Sequence, residues 1–368
     1  MPIGCWVTPK VAKVVGGLHA NEAVWVRGKC PRFIGGNGAR CGSGKGHVDT
    51  VIRMWQGYWL VTMLAYVTSP DLSPTHPQSS PHEPDPLAPQ TIGIVGSGIM
   101  GAGIAEVFAS AGHSVVLRSR SAEAASDVLK VLTASLEKQV QRGRLEAQRK
   151  SDILALCSTT TQLKDLQQCD VVLESVVEDF ETKIALFTEL DTLLSPTTIL
   201  ASNTSTLPIV ELARATQRPD KVCGIHFFNP ATTMSLVEIV RSITTSDTTI
   251  QFAVALTESC GKTPVHVRDD AGFIVNALLF PYLNNAIKMY ERGTATMSDI
   301  DIAMKGGCNF PMGPFALLDL VGLDTSLSIL ETLHKSSHSA TDEPALLLRQ
   351  LVSEGKLGRK TKNGFYSY

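Results

Sequence analysis

The stretch TIGIVGSGIMGAGIAEVFASAGHSVVLRSR, residues 91–120, decides the fold. It opens with a β-branched run, turns through GSGIMG, and continues with Ile104, Val107, Phe108 and Ala111 at helical spacing before a second apolar run, SVVLR. Such a change of period, from strand to helix and back, marks a βαβ unit with parallel strands. Gly96, Gly98 and Gly101 stand at the spacing GxGxxG between the first strand and the helix. In that setting Gly96 permits a tight turn, Gly98 lets a pyrophosphate approach the backbone, and Gly101 lets helix and strand pack closely. The phosphates would meet the positive end of the helix. The chain reads as α/β, with a Rossmann-type dinucleotide-binding domain.

Binding of NAD asks for an acid at the end of the second strand, where it can accept hydrogen bonds from the ribose hydroxyls. Here that end reads Arg118, Ser119, Arg120. Guanidiniums suit a 2′-phosphate, which they can bind in bidentate fashion, and no carboxylate is present to take its place. NADP is therefore the favoured cofactor and NAD the alternative.

Toward the C-terminus the strand signals stop near Gly272, and helical spacing follows over residues 276–287, 297–305 and 314–330. Residues 91–271 thus read as the NAD(P)-binding domain and residues 272–368 as an all-helical C-terminal domain. Toward the N-terminus the character changes near residue 90. All four tryptophans lie within the first 59 residues, and seven of the 19 prolines fall between Pro70 and Pro89. A run such as PDLSPTHPQSSPHEPDPLAP cannot donate the backbone hydrogen bonds of a helix or sheet and reads as an extended linker. Residues 1–90 are expected to be an unstructured N-terminal extension.

Within that extension the apolar run at residues 54–67 is 14 residues long, short of the roughly 20 that a bilayer requires. It also lies too far in for a signal peptide. The glycine-rich run at residues 35–46 fails as a phosphate loop, because Ala39 replaces the first glycine and Gly46 the required Ser or Thr. Overall, 33 Lys and Arg face 35 Asp and Glu, for a net charge of -2. That balance gives no electrostatic argument for nucleic acid. The eight cysteines form no CxxC pair, so the thiols are expected to be reduced and mostly buried, with no metal site. No membrane association and a cytoplasmic location are expected.

Four further motifs carry chemistry: ASNTSTL at residues 201–207, GIHFFNP at 224–230, LVEIV at 236–240 and GFIVN at 272–276. Singly each is ordinary, because a serine after a strand is usually a cap and a histidine in an apolar run is usually a core residue. In order, and downstream of a dinucleotide loop, they resemble the 3-hydroxyacyl-CoA dehydrogenase family, closest to its short, single-function 3-hydroxybutyryl-CoA dehydrogenase branch. The resemblance runs from Thr91 to Tyr368. It also takes in GSGIMGAGIAEVFASAGH, PMGPFALLDLVGLD at residues 311–324 and the ending GKLGRKTKNGFYSY.

The resemblance implies hydride transfer between C3 of an (S)-3-hydroxyacyl-CoA and the nicotinamide, in a homodimer paired through the helical domains. It makes His226 the base, Glu238 its carboxylate partner, Ser205 the hydroxyl that bonds the reacting oxygen and Asn276 the amide that holds the substrate. Asn229 would lie near the nicotinamide. Glu178 and Lys183 would contact the cofactor, and Ser135 and Arg142 the CoA. Two departures stand out: the missing acid after the second strand, and Ala271 and Ala277 flanking GFIVN. Two other readings remain open, a dehydrogenase of a small hydroxy acid without CoA and a non-catalytic nucleotide-binding protein.

Overall fold

The computed structural model describes residues 88–368. The linker, the glycine-rich run and the apolar run expected within residues 1–87 lie outside the described residues. Eight strands, β1 (Thr91–Val95), β2 (Ser114–Arg118), β3 (Cys157–Thr160), β4 (Val171–Glu174), β5 (Ile199–Ser202), β6 (Val222–Phe227), β7 (Leu236–Arg241) and β8 (Thr263–Arg268), form one sheet in the order β3-β2-β1-β4-β5-β6-β7-β8. Helices α1 (Ile99–Ser110), α2 (Ala122–Gln141), α3 (Ala147–Ala155), α4 (Phe180–Leu193), α5 (Ile209–Arg214) and α6 (Asp247–Ser259) alternate with the strands.

The central strands β4, β5 and β6 are buried along their whole length because both faces of the sheet are covered, whereas the edge strands β3 and β8 carry polar, partly exposed residues. Alternate residues serve opposite cores: Val171 and Leu173 of β4 pack with Ile92, Ile94, Ile104 and Phe108, whereas Val172 packs with Val95, Phe187 and Leu200 on the other side. Burying each of these large side chains stabilises the domain by about 1.5–3 kcal/mol. All neighbouring strands are parallel except β6 and β7. The expectation of parallel units ends there because residues 228–235 contain no crossover helix. A connection that short brings the chain straight back alongside itself.

After β8 the chain is helical: α7 (Val275–Glu291), α8 (Met297–Cys308), α9 (Pro314–Val321), α10 (Leu323–Ser337) and α11 (Leu346–Ser353) enclose a third core built on Phe280, Leu283, Phe315, Leu330 and Leu348. The single segment expected over residues 314–330 is two helices. Gly322, at φ +106°, breaks it, a backbone state that suits glycine and that apolar periodicity does not register. The C-terminal residues fold back on this domain, where the buried Asp319 accepts hydrogen bonds from the Phe365 and Tyr366 N–H groups and the Tyr368 hydroxyl.

Gln90, placed in the extension by its sequence, is 3% exposed, and its N–H donates to His113 Nδ1. Gln90 is therefore packed with the residues of the nucleotide-binding domain. Among the described residues five cysteines are free, of which only Cys169 and Cys223 are buried. The expectation of mostly buried thiols is too strong, because Cys157 and Cys260 are half-buried and Cys308 is exposed. None of the described helices is long and apolar enough to cross a membrane.

Candidate active site

The turn after β1 has the shape its glycines require. A Cβ on Gly96, at φ +120°, would lie 2.2 Å from the Ser175 carbonyl oxygen, and one on Gly101 would lie 1.9 Å from that of Gly96. Nothing lies within 4 Å of a Cβ on Gly98. Two glycines are thus demanded by packing, and the third faces open space at the start of α1. That start has no side-chain cap and no acid in its first turn, so its backbone N–H groups are available to an anion. The arrangement fits a dinucleotide pyrophosphate.

At the end of β2, Ser119 is 1% exposed and its hydroxyl has no hydrogen-bond partner; Arg118 Nε is also buried and unpartnered. Arg120 is exposed. The Gly96 N–H donates to the Arg118 carbonyl, which puts these residues directly beside the glycine turn.

His226 and Glu238 stand opposite one another in the antiparallel β6–β7 pair. Their side chains meet, His226 Nδ1 lying 2.8 Å from Glu238 Oε2, at 5% and 0% residue exposure. With its proton on Nδ1 the neutral ring donates to the carboxylate and leaves Nε2 as an acceptor. The ring packs between Phe228 and Phe273, whose centroids are 4.5 and 5.6 Å away. The second oxygen of Glu238 accepts the N–H groups of Ile274 and Val275, each at 3.0 Å, at the start of α7. Phe273, at φ +54°, supplies the bend that aims them.

Asn276, one residue into α7, donates its amide to the Ser205 carbonyl at 3.3 Å. Ser205 is half-buried. Its loop is organised by Glu178, which accepts from the Ser205 N–H at 2.9 Å and hydroxyl at 3.3 Å, and from the Thr204 hydroxyl. Burial pushes the Glu178 carboxyl up, but the Lys183 ammonium at 2.8 Å and these hydrogen bonds outweigh it and hold the group below the usual carboxylate range.

The structure therefore brings His226, Glu238, Ser205 and Asn276 into one connected site where β5, β6, β7 and α7 meet. Two family profiles cover the same residues: "3-hydroxyacyl-CoA dehydrogenase, NAD binding domain" matches residues 91–270, and "3-hydroxyacyl-CoA dehydrogenase, C-terminal domain" matches residues 272–368. The chain belongs to the 3-hydroxyacyl-CoA dehydrogenase family. A 3-hydroxybutyryl-CoA dehydrogenase of Clostridioides difficile is 44% identical over 277 residues, covering 75% of this chain and 99% of that protein. A human mitochondrial hydroxyacyl-coenzyme A dehydrogenase is 42% identical over 282 residues, covering 75% and 90%. The crystal structure of an (S)-3-hydroxybutyryl-CoA dehydrogenase from Ralstonia eutropha matches with a TM-score of 0.74 at 39% identity, over 76% of this chain and 99% of that one.

Asn229 is exposed. Ser135 is half-buried on α2, and Arg142 is exposed at the end of that helix. Of the nearby basic residues, Lys150 pairs with Glu137 at 2.6 Å and Arg149 donates to the Ser110 carbonyl. Lys183, expected beside the cofactor, is 1% exposed with its ammonium between Glu174 and Glu178.

Two site residues escaped the sequence reading. Glu174 ends β4 and is fully buried. Asn203 accepts the Phe227 N–H at 2.8 Å, tying the serine loop to the histidine strand. Asn203 lies inside the quoted SNTS motif, and its place there between Ser202 and Thr204 was the available signal. Among the described residues no cluster of potential metal ligands occurs.

Proposed function

We propose that the chain interconverts (S)-3-hydroxyacyl-CoA, 3-hydroxybutyryl-CoA included, and 3-oxoacyl-CoA by reversible hydride transfer with a nicotinamide dinucleotide. The observation that carries this is the buried His226–Glu238 pair, its Nε2 left without a partner among the described residues. His226 Nε2 accepts the proton of the substrate 3-hydroxyl while Glu238 holds the ring and offsets the charge of the imidazolium that forms. Ser205 and Asn276 are neutral donors suited to an oxygen that passes between hydroxyl and carbonyl. The bound nicotinamide supplies the hydride acceptor or donor. The Gly96 to Gly101 turn holds its pyrophosphate, with Glu178 and Asn229 on the nicotinamide side, and Ser135 and Arg142 meet the CoA.

NADP is the favoured cofactor in this reading. The support is the absence of a carboxylate at the end of β2 together with the unpartnered Ser119 hydroxyl and Arg118 Nε. Residues 91–271 form the nucleotide domain and residues 272–368 the domain through which two copies pair. Leu278, Ile302 and Phe310, large apolar residues exposed on the helical domain, support that pairing. The place of action in this reading is the cytoplasm. The test is kcat/KM for acetoacetyl-CoA with NADPH and NADH. NADPH should be preferred, and Ser119→Asp should move the preference toward NADH; clear preference of the wild-type chain for NADH overturns the cofactor reading.

A further inference from the structure

Lys183 and Glu174 touch no reacting atom in the mechanism above, yet they are buried charges at 1% and 0% exposure. The Lys183 ammonium lies 2.9 Å from Glu174 Oε1 and 2.8 Å from Glu178 Oε2. Ions are expensive to take out of water unless each is met by opposite charge and hydrogen bonds. Each of these two carboxylates holds one half of the loop that carries Ser205. Glu174 accepts the Ser202 hydroxyl at 2.6 Å, and its carbonyl accepts the Asn203 N–H at 2.9 Å. Glu178 accepts the Thr204 hydroxyl and the N–H groups of Ser205 and Thr206. One ammonium therefore ties both halves of the loop to the ends of β4 and α4.

We propose that Lys183 and Glu174 are positioning residues for the hydride-transfer reaction: acting through Glu178, they set the loop so that the Ser205 hydroxyl is presented to the substrate oxygen. The proposal rests on the reading given above. The Ser205 hydroxyl points to Glu178 across 3.3 Å, a long contact that is readily exchanged for a better acceptor. Lys183 thus acts on chemistry without meeting the substrate.

The groups facing Glu178 are Lys183 from α4 and the hydroxyl and N–H donors of residues 204–206; Glu174 lies behind the ammonium, and the neighbouring Asp179 is turned to Thr182. Without the ammonium, Glu178 keeps its burial and gains an unscreened neighbour in Glu174. Both favour the protonated carboxyl, which is a poorer acceptor for the loop.

The test compares the full-length chain with Lys183→Met and with the double variant Glu174→Gln/Lys183→Met, which keeps the cluster's net charge and so protects folding. Displacing a reacting group costs on the order of 10²-fold, so kcat should fall by about that factor. The Kd for NADPH should stay within about twofold, the signature of an interaction that matters in the transition state. In Lys183→Met, kcat should also gain an acidic limb absent from wild type, and amide exchange at residues 203–206 should quicken. Loss of NADPH affinity in step with kcat/KM, with kcat and its pH profile intact, makes Lys183 a cofactor contact and overturns the proposal. A wild-type chain with no turnover on 3-hydroxyacyl-CoA defeats the functional reading instead. In that event unchanged loop exchange in the variants overturns the tie, and faster exchange upholds it.

Discussion

Two helix N-termini in this molecule meet negative charge in opposite ways. The first turn of α1 has no side-chain acceptor and no acid. The start of α7 is occupied by the protein's own anion, Glu238, which accepts two backbone N–H groups there while its other oxygen holds His226. Each terminus carries about half a positive charge and unpaired N–H groups. Left empty, such an end suits a ligand's phosphates; filled from within, it fixes a carboxylate that catalysis needs in place. The contrast separates binding from chemistry along the chain.

The strongest way to break that division is at the filled end. His226→Ala should lower kcat by about 10²- to 10⁴-fold, the usual contribution of a positioned base, with nucleotide Kd unchanged by fluorescence titration. Unchanged turnover removes the pair from the mechanism. Glu238→Ala leaves the imidazole N–H and two backbone N–H groups without their acceptor, and urea unfolding should show a loss of about 1–3 kcal/mol for a buried group left unsatisfied. Glu238→Gln keeps an acceptor there and should lose kcat with a smaller loss of stability.

At the empty end the same logic runs in reverse. Gly98 is extended, at φ -73° and ψ -175°, and has open space around it. Gly98→Asp should therefore cap α1 and raise stability by roughly a few tenths of a kcal/mol, since glycine is itself a tolerated N-cap, while nucleotide Kd weakens roughly 10- to 100-fold. A variant that is more stable and binds as well as wild type would show that α1 is not the phosphate site.

The smallest effect is expected at the far end of the same βαβ unit. Burial holds the His113 imidazole below its ordinary value of 6.5, and its neutral Nδ1 accepts the Gln90 N–H. The stability linked to the neutral ring is complete above pH 6.5 and is lost as the pH falls through the lowered value. Wild type should thus lose about 1 kcal/mol more than His113→Gln between pH 7 and 5, by thermal unfolding, with nucleotide affinity at pH 7 the same in both.

What the sequence disclosed depended on distance along the chain. The glycine turn is local: six residues set its shape, and the structure places each glycine where its spacing requires. The break at Gly322 stayed hidden because the apolar spacing of residues 314–330 runs unbroken through a single left-handed residue. The Glu238 contact with α7 spans 36 residues, and the Glu174 contact with Ser202 spans 28. No periodicity reports such pairs. The His226–Glu238 partnership came from resemblance, since nothing in the spacing says that β7 runs antiparallel to β6.

That reversal bears on how the molecule can vary. Because base and anion face each other across a ladder, their separation is a property of strand register, and a slip by one residue would turn the two side chains to opposite faces of the sheet. Of the intervening residues, Phe228 packs on the His226 ring and Ala231 is buried in the core, whereas residues 232–235 are exposed. Those exposed positions can be rewritten to reshape the surface beside the site, while the proton-transfer pair travels unchanged with the sheet.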